Sequence, residues 1–260
     1  MAVHLHEHGH QTGDHLYVHK HTPIHEMAPE VKIVSAITFI FVAVFTPSTF
    51  YLNFALYAVL LGVVIGISQL RVRTVLRRML VEIPFVLFAI IMPFVGPAPD
   101  ILIFGFAVSE SGFNAGFGIL AKGTLGVMTS IILASTTPAR EILVGLERLR
   151  VPSMLIQIAT FMLRYSAVIT EELRRMKISR ESRGFDATGP RQWGIIAQTA
   201  GALFIRSYER GERVHLAMLS RGYEGNLPKN GEPSQTSLEW FQAMLLPIAA
   251  LLILIVRSTL

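Results

Sequence analysis

Cysteine is absent from all 260 residues, and charge is scarce: 16% of the chain is Asp, Glu, Lys or Arg, where soluble domains carry about a quarter. The first absence removes disulfides and thiolate chemistry. The second, with 52% hydrophobic residues and a mean hydropathy of +0.50, reads as a polytopic membrane protein. Catalytic constellations are missing as well. No G-x-x-x-x-G-K-[ST] phosphate loop occurs, so any ATP work has to come from another chain. Neither H-E-x-x-H nor G-x-S-x-G is present, and the chain is read as not an enzyme. The N-terminal stretch, Met1 to Glu30, lacks the apolar core of a signal peptide, so Met1 is expected to begin the mature, cytoplasmic end. The net charge of +5 does not point to nucleic acid, because the basic residues flank apolar segments, as the positive-inside rule requires.

Five apolar segments are present: Val31–Phe45, Tyr51–Leu70, Val81–Val95, about Phe117–Thr137, and Trp240–Val256. A perpendicular crossing needs about 20 apolar residues, and the shorter first and third segments fit by thinning the bilayer or leaning on neighbours. The fourth carries Lys122, read either as an intramembrane functional charge or as a side chain snorkelling to the interface. Its small residues (Gly116, Gly118, Gly123, Gly126, Ser130, Ala134, Ser135), like Gly62 and Gly66 in the second, suit close helix–helix approach in lipid. Arg71, Arg73, Arg77 and Arg78 lie between the second and third segments, and 15 of the 23 Lys/Arg fall between Arg140 and Lys229. The other two connections hold no Lys or Arg, but Asp100 and Glu110. This bias places the N-terminus and residues 138–237 in the cytoplasm. The expected fold is all-α, with about five transmembrane helices and three cytoplasmic coupling helices. Its parts are a polar tail (1–30), four spans (31–137), interfacial or cytoplasmic helices (138–237) and a last span (238–260).

The 138–237 stretch predicts helices over Ala139–Leu149, Ser153–Ser182 and Pro190–Leu219. Both long helices run from apolar to charged: Met154–Leu163 leads to Glu171–Glu181, and Ile195–Ile205 leads to Arg206–Arg213. Each ends in the same device, which the chain therefore carries twice: Ser182-Arg183-Gly184 then Phe185, Asp186 and Pro190, and Ser220-Arg221-Gly222 then Tyr223, Glu224 and Pro228. A helix stop explains part of this, since glycine supplies the left-handed position past the last turn and a cation suits the helix dipole. Capping does not call for an aromatic and an acid in fixed order. A docking tip does: an always-charged guanidinium makes bidentate contacts with carboxylates, and an aromatic anchors it. Two such tips suit two equivalent grooves.

Paired Ser-Arg-Gly motifs late in a five-span chain resemble the T component of energy-coupling factor (ECF) transporters, whose motif more often begins with alanine. Ala28-Pro29-Glu30-Val31-Lys32-Ile33 is similar to that family's Asp-Pro-Arg-x-Lys-Leu start of the first span, with Ala28 and Glu30 replacing the acid and the arginine. The resemblance covers about residues 23–257. It implies a transmembrane scaffold and coupling subunit in an inner (plasma) membrane, partnered by two ATP-binding cassette subunits and a membrane-embedded substrate-capturing protein. Ser182, Arg183, Gly184, Ser220, Arg221 and Gly222 would then be the ATPase-coupling residues. All of the histidines except His215 lie between Met1 and Glu30, and neutral imidazole suits Ni, Co, Cu and Zn. The alternation His4, His6, His8, His10 lets an extended chain gather several around one ion; a polar tail with incidental metal affinity is the other reading. With the resemblance it points to the CbiQ-type cobalt/nickel branch, with the transported ion handled chiefly by the partner and no tightly bound cofactor. The alternative is a self-sufficient secondary metal transporter or channel, which would place ionisable residues in mid-span. His215 is read as a solvated side chain.

Overall fold

The computed structural model describes residues 17–18, 20–95, 101–103, 106–185, 193–225 and 237–259, which fall into two compact units. The fold is that of an all-α membrane protein. The larger unit holds α1 (Pro23–Glu26), α2 (Pro29–Phe45), α3 (Tyr51–Ile67), α4 (Val72–Arg78), a 3-10 turn (Met79–Glu82), α5 (Ile83–Val95), α6 (Glu110–Thr136), α7 (Ala139–Arg148) and α10 (Ser237–Thr259). A short antiparallel hairpin, β1 (Ile101–Ile103) with β2 (Phe106–Val108), joins α5 to α6 and departs from the purely helical expectation. The smaller unit holds α8 (Ser153–Glu181) and α9 (Trp193–Leu219).

All five apolar segments form helices, with altered ends. The α6 helix starts at Glu110, well before the Phe117 that hydropathy suggests. Ser109 caps it, its hydroxyl accepting from the Gly112 amide at 3.4 Å, and Glu110 suits the positive end of the dipole. The α3 helix stops at Ile67, and Gln69 turns the chain with φ of +52°. By length and composition three helices can cross a membrane: α6, α10 and α8, with α3 shorter but apolar. For α8 this is a matter of length and composition alone; the sequence reading places it among cytoplasmic or interfacial helices. The 17-residue α2 is about 25 Å long, below the roughly 30 Å hydrocarbon thickness.

The bundle centres on α2, which packs against α10, α7 and α6, while α5 lies along α6 and α3 touches α6 and α10. Lipid tails are as apolar as leucine, so cohesion here rests on close packing and buried polar contacts. Phe39, Tyr57 and Phe54 meet edge to face, with Phe39–Tyr57 centroids 5.9 Å apart. The Tyr57 hydroxyl donates to the Ala250 carbonyl at 3.2 Å, tying α3 to α10. The α5–α6 seam needs glycine: a Cβ at Gly112 would sit 2.6 Å from the Met92 carbonyl oxygen, and one at Gly116 would sit 2.5 Å from that of Ala89. Gly62, Gly66 and Gly126 have nothing within 4 Å, so they serve no such seam within the described residues.

The segment similar to the family's first-span motif is buried. Glu30 receives two hydrogen bonds from the Arg148 Nη1, at 3.0 and 3.2 Å, and only 2% of its side chain is exposed. Lys32 donates to the His25 and Thr136 carbonyls at 3.2 and 3.3 Å. The Glu30–Arg148 pair fastens α7 to α2, with Gly145 pressed on the Glu30 amide, and Lys32 ties α2 to α1 and to the end of α6. By packing, α7 joins the bundle within the larger compact unit, which includes Leu16–Leu149.

Candidate functional site

The two Ser-Arg-Gly sequences end α8 and α9 with the same bonds. The Ser182 amide donates to the Ile178 carbonyl at 2.9 Å, and that of Ser220 to Leu216 at 3.0 Å. The Arg183 amide donates to Arg180 and the Gly184 amide to Glu181; the Arg221 amide donates to Met218 and the Gly222 amide to Leu219. The Phe185 amide reaches back to the Arg180 carbonyl at 3.3 Å, and that of Tyr223 to Met218 at 3.0 Å. Each serine hydroxyl donates three residues back, to Ser179 and to Ala217, at 3.0 Å. Gly184 and Gly222 stand at φ of +77° and +81°, with open space where a Cβ would go. The glycines are needed for their conformation, as a Schellman-type stop requires. The capping function is therefore present in both copies.

What capping leaves over is the arginine. Arg183 and Arg221 are exposed, and among the described residues neither forms an ion pair. The aromatics differ: Phe185 is 47% exposed, whereas the Tyr223 hydroxyl donates to the Gln157 side-chain oxygen. Gln157 Nε2 also donates to the Gly225 carbonyl at 2.7 Å. His215 is exposed, as its reading as a solvated side chain expects, and its ring also meets that of Tyr223 edge-on at 6.5 Å.

These contacts fix the direction of the pair. Gln157, near the start of α8, faces residues just past the end of α9. Further along, Glu172 accepts from Arg210 at 2.8 Å and Arg206 at 3.4 Å. Moving up α8 means moving down α9, so the helices are antiparallel and the two motifs lie at opposite ends of the pair. The helix from Gln157 to Arg183 measures about 40 Å at about 1.5 Å per residue. The apolar start of each helix consequently lies beside the polar end of the other. Sequence reasoning missed Gln157 and the Glu172 clamp; a lone glutamine inside Met154–Leu163 was the available signal.

The tail residues His4, His6, His8 and His10 lie outside the described residues, as do Asp186, Pro190, Pro228 and Asp100. Among the described residues no group of three or more His, Cys, Asp or Glu is placed to hold a metal. The Glu82 carboxylate, buried in the bundle, accepts from the Thr124 hydroxyl.

Residues 20–232 match the CbiQ family, described as "Cobalt transport protein". The chain is 28% identical over 218 residues to an uncharacterised protein of Methanocaldococcus jannaschii, covering 76% of each. It is 28% identical over 242 residues to the energy-coupling factor transporter transmembrane protein EcfT of Thermanaerovibrio acidaminovorans, covering 86% of each. To the cobalt transport protein CbiQ of Rhodobacter capsulatus it is 29% identical over 123 residues, 47% of this chain and 50% of that one.

Proposed function

The chain belongs to the CbiQ family of cobalt transport proteins, and on that premise we propose that it grips two ATP-binding cassette subunits through Arg183 and Arg221. It is the transmembrane coupling component of an ECF-type transporter, similar to EcfT proteins over most of its length. The observation that carries the reading is the pair of helix ends, alike bond for bond, each presenting an exposed arginine. A guanidinium on a firmly stopped helix loses little freedom on docking, and bidentate pairing with a carboxylate rewards a fixed orientation. Two like ends about 40 Å apart suit two like grooves on a dimer of ATPases.

Antiparallel packing also bears on the membrane. Were α8 and α9 to cross the bilayer side by side, each side of the membrane would receive one charged half and one apolar half. A pair lying along the interface avoids this, with apolar side chains such as Met154, Met162 and Phe204, all at least 68% exposed, turned toward lipid or an apolar partner. In this account the cytoplasmic face of an inner membrane carries the pair, as the Lys/Arg bias requires. A substrate-capturing membrane protein completes the assembly. The cargo is a cobalt or nickel ion, for which His4, His6, His8 and His10 offer imidazole ligands. ATP-driven closing of the ATPase dimer would then shift the two helix ends and, through them, the substrate-capturing partner.

The test is co-purification of the ATPase subunits and metal uptake for Arg183→Ala, Arg221→Ala and the double variant. Each single substitution is expected to weaken association, by about tenfold or more for a lost charge-assisted interface contact, and the double variant to abolish uptake. Full assembly and uptake by the double variant would contradict the proposal.

A further inference from the structure

Between α8 and α9 lies an open groove of ≈ 1070 Å³ whose two walls differ in charge. The α8 wall brings Arg175, Ser179, Arg180 and Arg183; the α9 wall facing it brings Ile195, Gln198, Thr199 and Ala202. Glu172, with Arg206 and Arg210, closes the middle of the pair. Around the whole groove stand five arginines and two glutamates, and both glutamates are taken: Glu171 by Arg174 and Arg175, Glu172 by Arg206 and Arg210. Toward the Arg183 end the described residues of the α9 wall carry small or neutral side chains and no acid. Among the described residues the Arg180 Nε, buried there, has no hydrogen-bond partner. A buried guanidinium nitrogen without an acceptor is costly to keep, and it marks the place where an acceptor oxygen is wanted.

The lining also carries apolar and aromatic side chains, with Phe185 at the end of α8 47% exposed. Trp193, outside the lining but two residues before its Ile195, is 71% exposed. Tryptophan of this kind settles at headgroup depth. We propose that this groove binds the phosphate of an anionic phospholipid, with Arg180 and its neighbours on the phosphate oxygens and the acyl chains over these apolar side chains. Phosphate matches the fork of arginine bidentately, and a headgroup is what a helix pair lying in the interface meets at this depth. The inference rests on the interfacial placement proposed above and not on ATPase docking. Arg183 would be shared between lipid and partner, so the other arginines carry the test.

The experiment uses the full chain in bilayer discs of phosphatidylcholine with or without phosphatidylglycerol, and counts retained lipids by native mass spectrometry. Wild type is expected to retain phosphatidylglycerol over phosphatidylcholine. Arg175→Gln/Arg180→Gln should lower that preference by about tenfold to thirtyfold, Arg180→Lys should recover part of it, and Arg213→Gln, off the groove, should leave it unchanged. Unchanged preference in the double variant would overturn the site. So would displacement of the lipid by equimolar glycerol phosphate, because the acyl chains would then contribute nothing, or loss of ATPase association with lipid retention intact, because the groove would then hold an acidic protein segment. Placement is read separately, from quenching of Trp193 by brominated lipids in a Trp240→Phe background. Quenching without a phosphatidylglycerol preference refutes the site alone, whereas no quenching refutes the placement and the site with it.

Discussion

At Gly184 and Gly222 a φ near +80° is open to glycine at no cost, while an L side chain with a Cβ is strained there by about 1–2 kcal/mol. Among the described residues no neighbour crowds either position, so the strain is conformational. Gly184→Ala and Gly222→Ala should each lower stability by about 1 kcal/mol, and Gly→Asn by less, since asparagine tolerates the left-handed region; melting in detergent reads the order. Glu30 makes a second prediction. Glu30→Ala strands Arg148 in a half-buried site and should cost about 3–5 kcal/mol, whereas Glu30→Arg with Arg148→Glu should recover much of it. His25 supplies the pH dependence. Burial, helped by Lys32, Lys20 and His21, holds its imidazole below the usual histidine range, and among the described residues its buried Nε2 has no partner. The unfolded chain therefore takes up a proton first, and stability is full above about pH 6.5 and falls as the pH drops below it. The melting temperature should decline from about pH 7 to about pH 5.5 in wild type and decline less in His25→Gln. The repeat and its stop were legible because both are local, spelled out within a few neighbouring residues. The Glu30–Arg148 pair was not, since its partners are far apart in the chain and the family's usual residues are changed here.

Among the elements, the α5–α6 seam separates glycines that matter from glycines that do not. A side chain at Gly116 meets the Ala89 carbonyl and cannot be relieved by a rotamer change, because backbone is in the way. Gly116→Ala should cost about 1–3 kcal/mol, and Gly62→Ala, facing open space, should be neutral to slightly stabilising; the difference in detergent melting checks it. The stripe of small residues was legible, and so were five apolar helices and the three in the 138–237 region. Which glycine faces a neighbour was not, because hydropathy gives no rotation about the helix axis relative to a partner. The α5–α6 hairpin was missed for a related reason: such short strands carry too brief a pattern to stand out beside long apolar runs.

At the scale of the whole molecule the decisive property is direction. Read singly, α8 and α9 each pass from an oily start to a charged tip, with nothing in either to relate its direction to the other's. Glu172 with Arg206 and Arg210, and Gln157 with Tyr223 and Gly225, run the helices against each other. Helix direction in a pair cannot be seen in either helix alone, which is why composition and gradients were insufficient. Removing the clamp should loosen the pair: Glu172→Gln is expected to weaken the antiparallel register and, with it, simultaneous engagement of both motifs, read as reduced co-purification of ATPases despite intact arginines. The absence of cysteine makes the direct measurement clean. Spin labels on Ser182→Cys and Ser220→Cys, with no background thiol to block, report the distance between the two motifs in the purified chain. Motifs at opposite ends of an antiparallel pair predict about 40 Å. A distance of about 10 Å, the spacing of adjacent helix axes, would place both motifs at one end and contradict the account.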